Sequence, residues 1–117
     1  MAPFNTPTRI AELWKARDFG IFAQSALKDV PACMLYEADT TGGNSGSPVM
    51  NAKGELVGIN FDRTFEATIN DFAWSADYSR SIAVDIRNVL WVTQKLGGVT
   101  WLLDEMGIRE RRVAHLG

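Results

Sequence analysis

The spacing of apolar residues along this chain changes repeatedly, and each change marks an element. Ile10, Leu13 and Trp14 recur at helical spacing with charged residues between them, after a Thr6-Pro7 pair that sets proline at the first helical position. Asp18-Phe19-Gly20 ends or bends that helix, and Phe22 to Leu27 reads as a further short turn; Trp14 and Phe22 read as packing residues. Val30-Pro31 breaks the chain, and Ala32 to Tyr36 follows as a short buried strand. Pro48 to Asn51 is a second short strand, and Asn51-Ala52-Lys53-Gly54 is a hairpin turn. Glu55 to Phe61 is the clearest strand, with Leu56, Val57, Ile59 and Phe61 apolar, and Ser81 to Val84 is another. Ile86, Val89, Leu90, Val92, Thr93 and Leu96 give one apolar face to a helix that Asp85 can cap and Gly97-Gly98 stops. Val99 to Met106 reads as a last short helix.

Between the strands, Asp62 to Ser79 is long, polar and aromatic, with Phe65, Phe72, Trp74 and Tyr78. Loops of this length are functional or disordered, and the aromatic side chains favour order. Glu66, Asn70, Asp71 and Asp77 lack the spacing and the glycine of a calcium loop, so they read as loop polar residues; no metal and no cofactor is assigned.

The 117 residues suffice for one small domain or for a piece of a larger one. A net charge of −2 offers no general attraction to nucleic acid or to an anionic membrane, and no apolar stretch reaches transmembrane length. Cys33 is the single cysteine, so no internal disulfide forms; its apolar surroundings suggest a buried, inert thiol. Met1 to Ile10 holds two prolines and no apolar core, so it does not read as a signal peptide. Arg109 to Arg112 reads as a solvated basic end.

The stretch that carries chemistry is Thr40-Thr41-Gly42-Gly43-Asn44-Ser45-Gly46-Ser47-Pro48-Val49. Glycines at 42, 43 and 46 permit φ > 0 and close approach of a substrate to the backbone. The N–H groups of Gly43 and Ser45 can then converge as an oxyanion hole, with Ser45 as nucleophile beside it. Ser47 stands where the elbow of α/β-hydrolases has glycine, so that fold is disfavoured. Asn44 reads as a residue that fixes the loop. The stretch resembles the nucleophile loop of chymotrypsin-fold serine peptidases.

A closer resemblance is to the bacterial dipeptidyl-peptidase 7 and 11 family of serine exopeptidases. It is carried by Thr41 to Val49, by Asn51-Ala52-Lys53-Gly54-Glu55-Leu56, by Phe61-Asp62 with Glu66, and by Ser79-Arg80-Ser81-Ile82 leading into Val84-Asp85-Ile86-Arg87 and Val89-Leu90-Trp91. It runs from about Pro3 to Gly107 and is strongest from Thr40 to Trp91. The resemblance implies an α+β fold: antiparallel strands of the second β-barrel of a chymotrypsin-like double barrel, over about 32–84, with flanking helices and C-terminal helices over about 85–107. It implies that the chain is the C-terminal part of a much longer enzyme whose first barrel carries the catalytic His and Asp. It further implies a periplasmic or cell-surface setting, with peptides bearing a free N-terminus as partners. Asp62 would bind the substrate's α-amino group, since a peptide lacking that ammonium would leave the carboxylate unpaired. Arg63 would hold an acidic P1 side chain in two parallel hydrogen bonds.

A serine hydroxyl needs a base within hydrogen-bond reach, and the single histidine, His115, follows the basic tail with nothing to place it near Ser45. The segment by itself is therefore expected to be inactive. Two other readings compete: a secreted glutamyl endopeptidase, which has a similar serine loop, and a non-catalytic truncated relative that binds peptides.

Overall fold

The computed structural model describes residues 5–108. His115 and the basic stretch Arg109 to Arg112 lie outside the described residues. The elements are α1 (Thr8–Lys15), a 3-10 turn (Gly20–Phe22), β1 (Cys33–Tyr36), β2 (Pro48–Met50), β3 (Leu56–Arg63), a 3-10 helix (Phe65–Asp71), β4 (Ser81–Asp85), α2 (Ile86–Lys95) and α3 (Thr100–Glu105). The long segment after β3 is thus not plain loop: β3 runs on through Arg63, and a 3-10 helix follows at once.

The strands form one antiparallel sheet in the order β1-β4-β3-β2. β3 and β4 occupy the centre, paired from Gly58↔Asp85 through Asn60↔Ala83. Residues paired across an antiparallel ladder share a face. The buried face of this central pair is therefore built from Gly58, Asn60, Ala83 and Asp85, with Ser81 buried beside them. These are small or polar residues, chosen for fit and hydrogen bonding rather than for oil. A Cβ on Gly58 would lie 2.9 Å from Met34 Cε and 2.9 Å from the Val84 carbonyl oxygen, so only glycine fits there.

The register shifts between Asn60 and Asp62, so Phe61 is an extra residue in the ladder. Such a bulge bends the strand and re-aims the side chains after it. Here it turns Asp62 and Arg63 to the sheet end where the serine loop lies.

The apolar core sits among the helices instead. Leu13, Phe19, Phe22, Trp91 and Leu103 are buried together. Trp91 meets Phe19 edge-on with ring centroids 6.0 Å apart, and its indole N–H donates to the Asp18 carbonyl at 2.8 Å. Phe22 is therefore a packing residue, as its spacing suggests. Trp14 is not: it is 54% exposed, and its indole N–H donates to Asp29 at 3.1 Å. Cys33 is likewise exposed rather than buried, because on the edge strand β1 it shares a face with Leu35, itself 64% exposed. Nothing among the described residues covers that face.

Asp85 joins sheet to helix. Its side chain accepts from the Arg87 backbone N–H at 2.9 Å, capping α2, while the Arg87 guanidinium grips the same carboxylate at 2.9 and 2.7 Å. Burial works to raise the Asp85 pKa, but the hydrogen bonds from Arg87 outweigh it and hold the carboxyl below its ordinary range.

Candidate functional site

Ser45 projects from the loop between β1 and β2. Asn44 makes that loop's shape: its side-chain oxygen accepts the Thr41 N–H at 2.8 Å, and its carbonyl accepts the Ser47 N–H at 3.0 Å. Gly43 and Gly46 have φ of 97° and 87°, which an L side chain rarely adopts. Gly42 stays outside the left-handed region, so two of the three glycines supply the conformational freedom expected of them. Among the described residues, the N–H groups of Gly43 and Ser45 find no acceptor, which leaves both free to meet a ligand oxygen.

The loop is tied down to β3 from below. The Asn60 carbonyl accepts the Gly46 N–H at 2.7 Å, the Asn60 N–H donates to the Ser47 carbonyl at 2.9 Å, and the Asn60 side-chain amide donates to the Asn44 carbonyl at 3.2 Å. The side-chain oxygen of Asn60 in turn accepts from the Tyr36 hydroxyl at 2.7 Å. Burial raises the Tyr36 pKa, so the phenol keeps its proton and remains a donor. The hydroxyl of Ser81 donates to the Ala38 carbonyl at 3.1 Å and so accepts from Thr40 at 2.6 Å. Asn60 and Tyr36 do not stand out in the sequence as residues that hold this loop. The signal was there for Asn60: a carboxamide in an apolar strand, two residues from a glycine on the same buried face, needs partners.

Thr40, Thr41, Gly42, Ser45, Asn60, Phe61, Asp62 and Arg63 line one open cleft of about 120 Å³. The structure thus brings together Ser45, Asp62 and Arg63, with Gly43 adjoining them through the loop. The Ser45 hydroxyl donates to the Phe61 carbonyl at a long 3.4 Å. The Asp62 carboxylate accepts the Arg63 backbone N–H at 2.8 Å through one oxygen, and among the described residues the other has no hydrogen-bond partner. The larger groove, about 490 Å³, is lined by Ile10, Trp14, Val30 and Trp91 among others. It contains none of these groups and lies on the helical side.

Arg63 is not a free cation. Its guanidinium donates to both oxygens of Asp71 at 2.9 and 3.2 Å, and to the Thr40 carbonyl at 3.1 Å. The hydrogen bond with Arg63 holds the Asp71 carboxyl below its usual range, and the same bond raises the arginine. Asp71 is therefore more than a loop polar residue, and Asn70 is buried, accepting from Ser79 at 2.6 Å.

The cleft thus holds an exposed serine hydroxyl, a carboxylate and a guanidinium, next to two backbone N–H groups that have no acceptor among the described residues. The Peptidase S46 profile matches residues 1–108, and the chain belongs to that family. A dipeptidyl-peptidase 7 of Phocaeicola vulgatus is 49% identical over 107 residues, covering 92% of this chain and 15% of the relative. An Asp/Glu-specific dipeptidyl-peptidase of Porphyromonas gingivalis is 49% identical over 105 residues, covering 90% of this chain and 14% of the relative. Among solved structures, Porphyromonas endodontalis DPP11 in complex with substrate superposes with a TM-score of 0.85 at 39% identity, over 89% of this chain and 15% of that one. The same protein with the dipeptide Arg-Asp gives 0.83 at 40% identity, over 86% of this chain and 14% of that one. The chain thus spans about one-seventh of the length of the curated relatives it matches.

Proposed function

We propose that this chain is the nucleophile-bearing part of a longer serine dipeptidyl-peptidase, which removes dipeptides from free peptide N-termini with Asp or Glu at P1. The observation that carries the reading is the single cleft shared by Ser45, Asp62 and Arg63. Ser45 Oγ attacks the scissile carbonyl, and the N–H groups of Gly43 and Ser45 receive the oxyanion that develops. The open oxygen of Asp62 meets the substrate ammonium, which limits cleavage to chain ends. Arg63 meets the P1 carboxylate. The serine's proton passes to a histidine held by the remainder of the polypeptide, in a first barrel to which this sheet contributes the second. On this reading the enzyme works in the periplasm or at the cell surface.

The names of the relatives favour an exopeptidase over a glutamyl endopeptidase. The test uses the complete enzyme on reporters ending in Asp, Glu, Leu and Ala, each with a free or an acetylated N-terminus. Cleavage of free-amine Asp and Glu reporters, and loss of it on acetylation, is the expected result. Efficient cleavage of acetylated Glu reporters would instead select the endopeptidase.

A further inference from the structure

We infer that Asp71 is a positioning residue for Arg63, and that it reserves the Nε–Nη2 edge of the guanidinium for an acidic P1 side chain. This rests on the proposal that Arg63 meets P1. A guanidinium has five N–H donors and two edges that can each take a carboxylate bidentately. Asp71 fills the Nη1–Nη2 edge, and the second proton of Nη1 goes to the Thr40 carbonyl. The Nε proton and the second Nη2 proton remain. They lie side by side and parallel on the other edge, and among the described residues neither has an acceptor.

Asp71 is delivered by the 3-10 helix that starts two residues after Arg63, so strand and helix together form a clamp around one side chain. Thr40 anchors that clamp to the serine loop, which fixes the distance from the reading edge to Ser45. Asp71 also offsets the arginine's charge, and Asp62 adds a second carboxylate to the cleft. Selection for an acid therefore depends on the oriented fork of donors rather than on excess positive charge, and a lysine in place of Arg63 could not reproduce it.

The test is steady-state kinetics of the complete enzyme on free-amine reporters ending in Asp, Glu, Leu and Ala. Asp71→Ala should lower kcat/KM for Asp and Glu by about tenfold, chiefly through KM, and change Leu and Ala by less than about twofold. Asp71→Asn, which keeps one acceptor oxygen and the shape, should recover part of the loss. In an Arg63→Gly background, Asp71→Ala should have no further effect on acidic substrates. Equal losses on all four reporters, an additive double variant, or a gain on acidic reporters would overturn the inference. If Arg63→Gly itself leaves the acidic preference intact, the P1 assignment fails and this inference with it. If Arg63→Gly abolishes the preference while Asp71→Ala leaves it unchanged, the positioning role alone is lost.

Discussion

The carbonyl of Asn60 accepts the backbone N–H of Gly46 at 2.7 Å, so the residue after Ser45 is fastened directly to the central strand. The Asn60 side chain, 4% exposed, adds the bond to Asn44 on the other side of the serine. The loop that presents Ser45 is therefore held from both flanks by one residue.

Replacing Asn60 by Ala should disturb that hold. It leaves the Tyr36 hydroxyl without its acceptor and the Asn44 carbonyl with the Ser47 N–H alone, which costs about 1–3 kcal/mol. The expected result for the complete enzyme is a lower urea midpoint and a lowered kcat, with Tyr36→Phe showing a smaller version of both. An unchanged kcat in Asn60→Ala would mean that the loop keeps its shape without this bond.

Gly58 tests the close packing of the sheet. A methyl there meets a Met34 side chain that can move and a Val84 carbonyl that cannot. Gly58→Ala should cost about 1–3 kcal/mol, read from equilibrium unfolding, while Gly43 and Gly46 would be affected through strain rather than contact.

Asp85 predicts a pH dependence. Its folded pKa is depressed, so its contribution is present above the ordinary carboxylate range and is lost as pH falls through the depressed value. Asp85→Ala should destabilise the complete enzyme by about 0.5–2 kcal/mol near neutral pH through loss of the cap. The gap between variant and wild type should close in acid, below the ordinary carboxylate range. A gap that stays constant into acid would show that the carboxylate's charge contributes nothing.

Much of this was readable from residue order. The Asp85 cap and the Gly97-Gly98 stop depend on local chemistry, and the strands, α2 and α3 fall within a residue or two of their expected places, whereas α1 already ends at Lys15 and the turn after it is Gly20–Phe22. Asn44 has the loop-fixing role that its position between glycines suggests. What depends on three dimensions was hidden. The bulge at Phe61 decides where Asp62 and Arg63 point, and no spacing rule reveals it. Asp71 reaches Arg63 only because a 3-10 helix forms between them. Cys33 and Trp14 look like core residues in a one-dimensional pattern, yet an edge strand and an outward helix face leave them exposed.

The most direct test of the whole account is Ser45→Ala in the complete enzyme, with kcat and substrate affinity measured separately on a free-amine Asp or Glu reporter. The account predicts that kcat falls by several orders of magnitude while binding is largely kept, and that a serine-directed phosphonate labels Ser45 in wild type and nothing in the variant. Turnover near the wild-type value in Ser45→Ala, or phosphonate labelling at another serine, would contradict it.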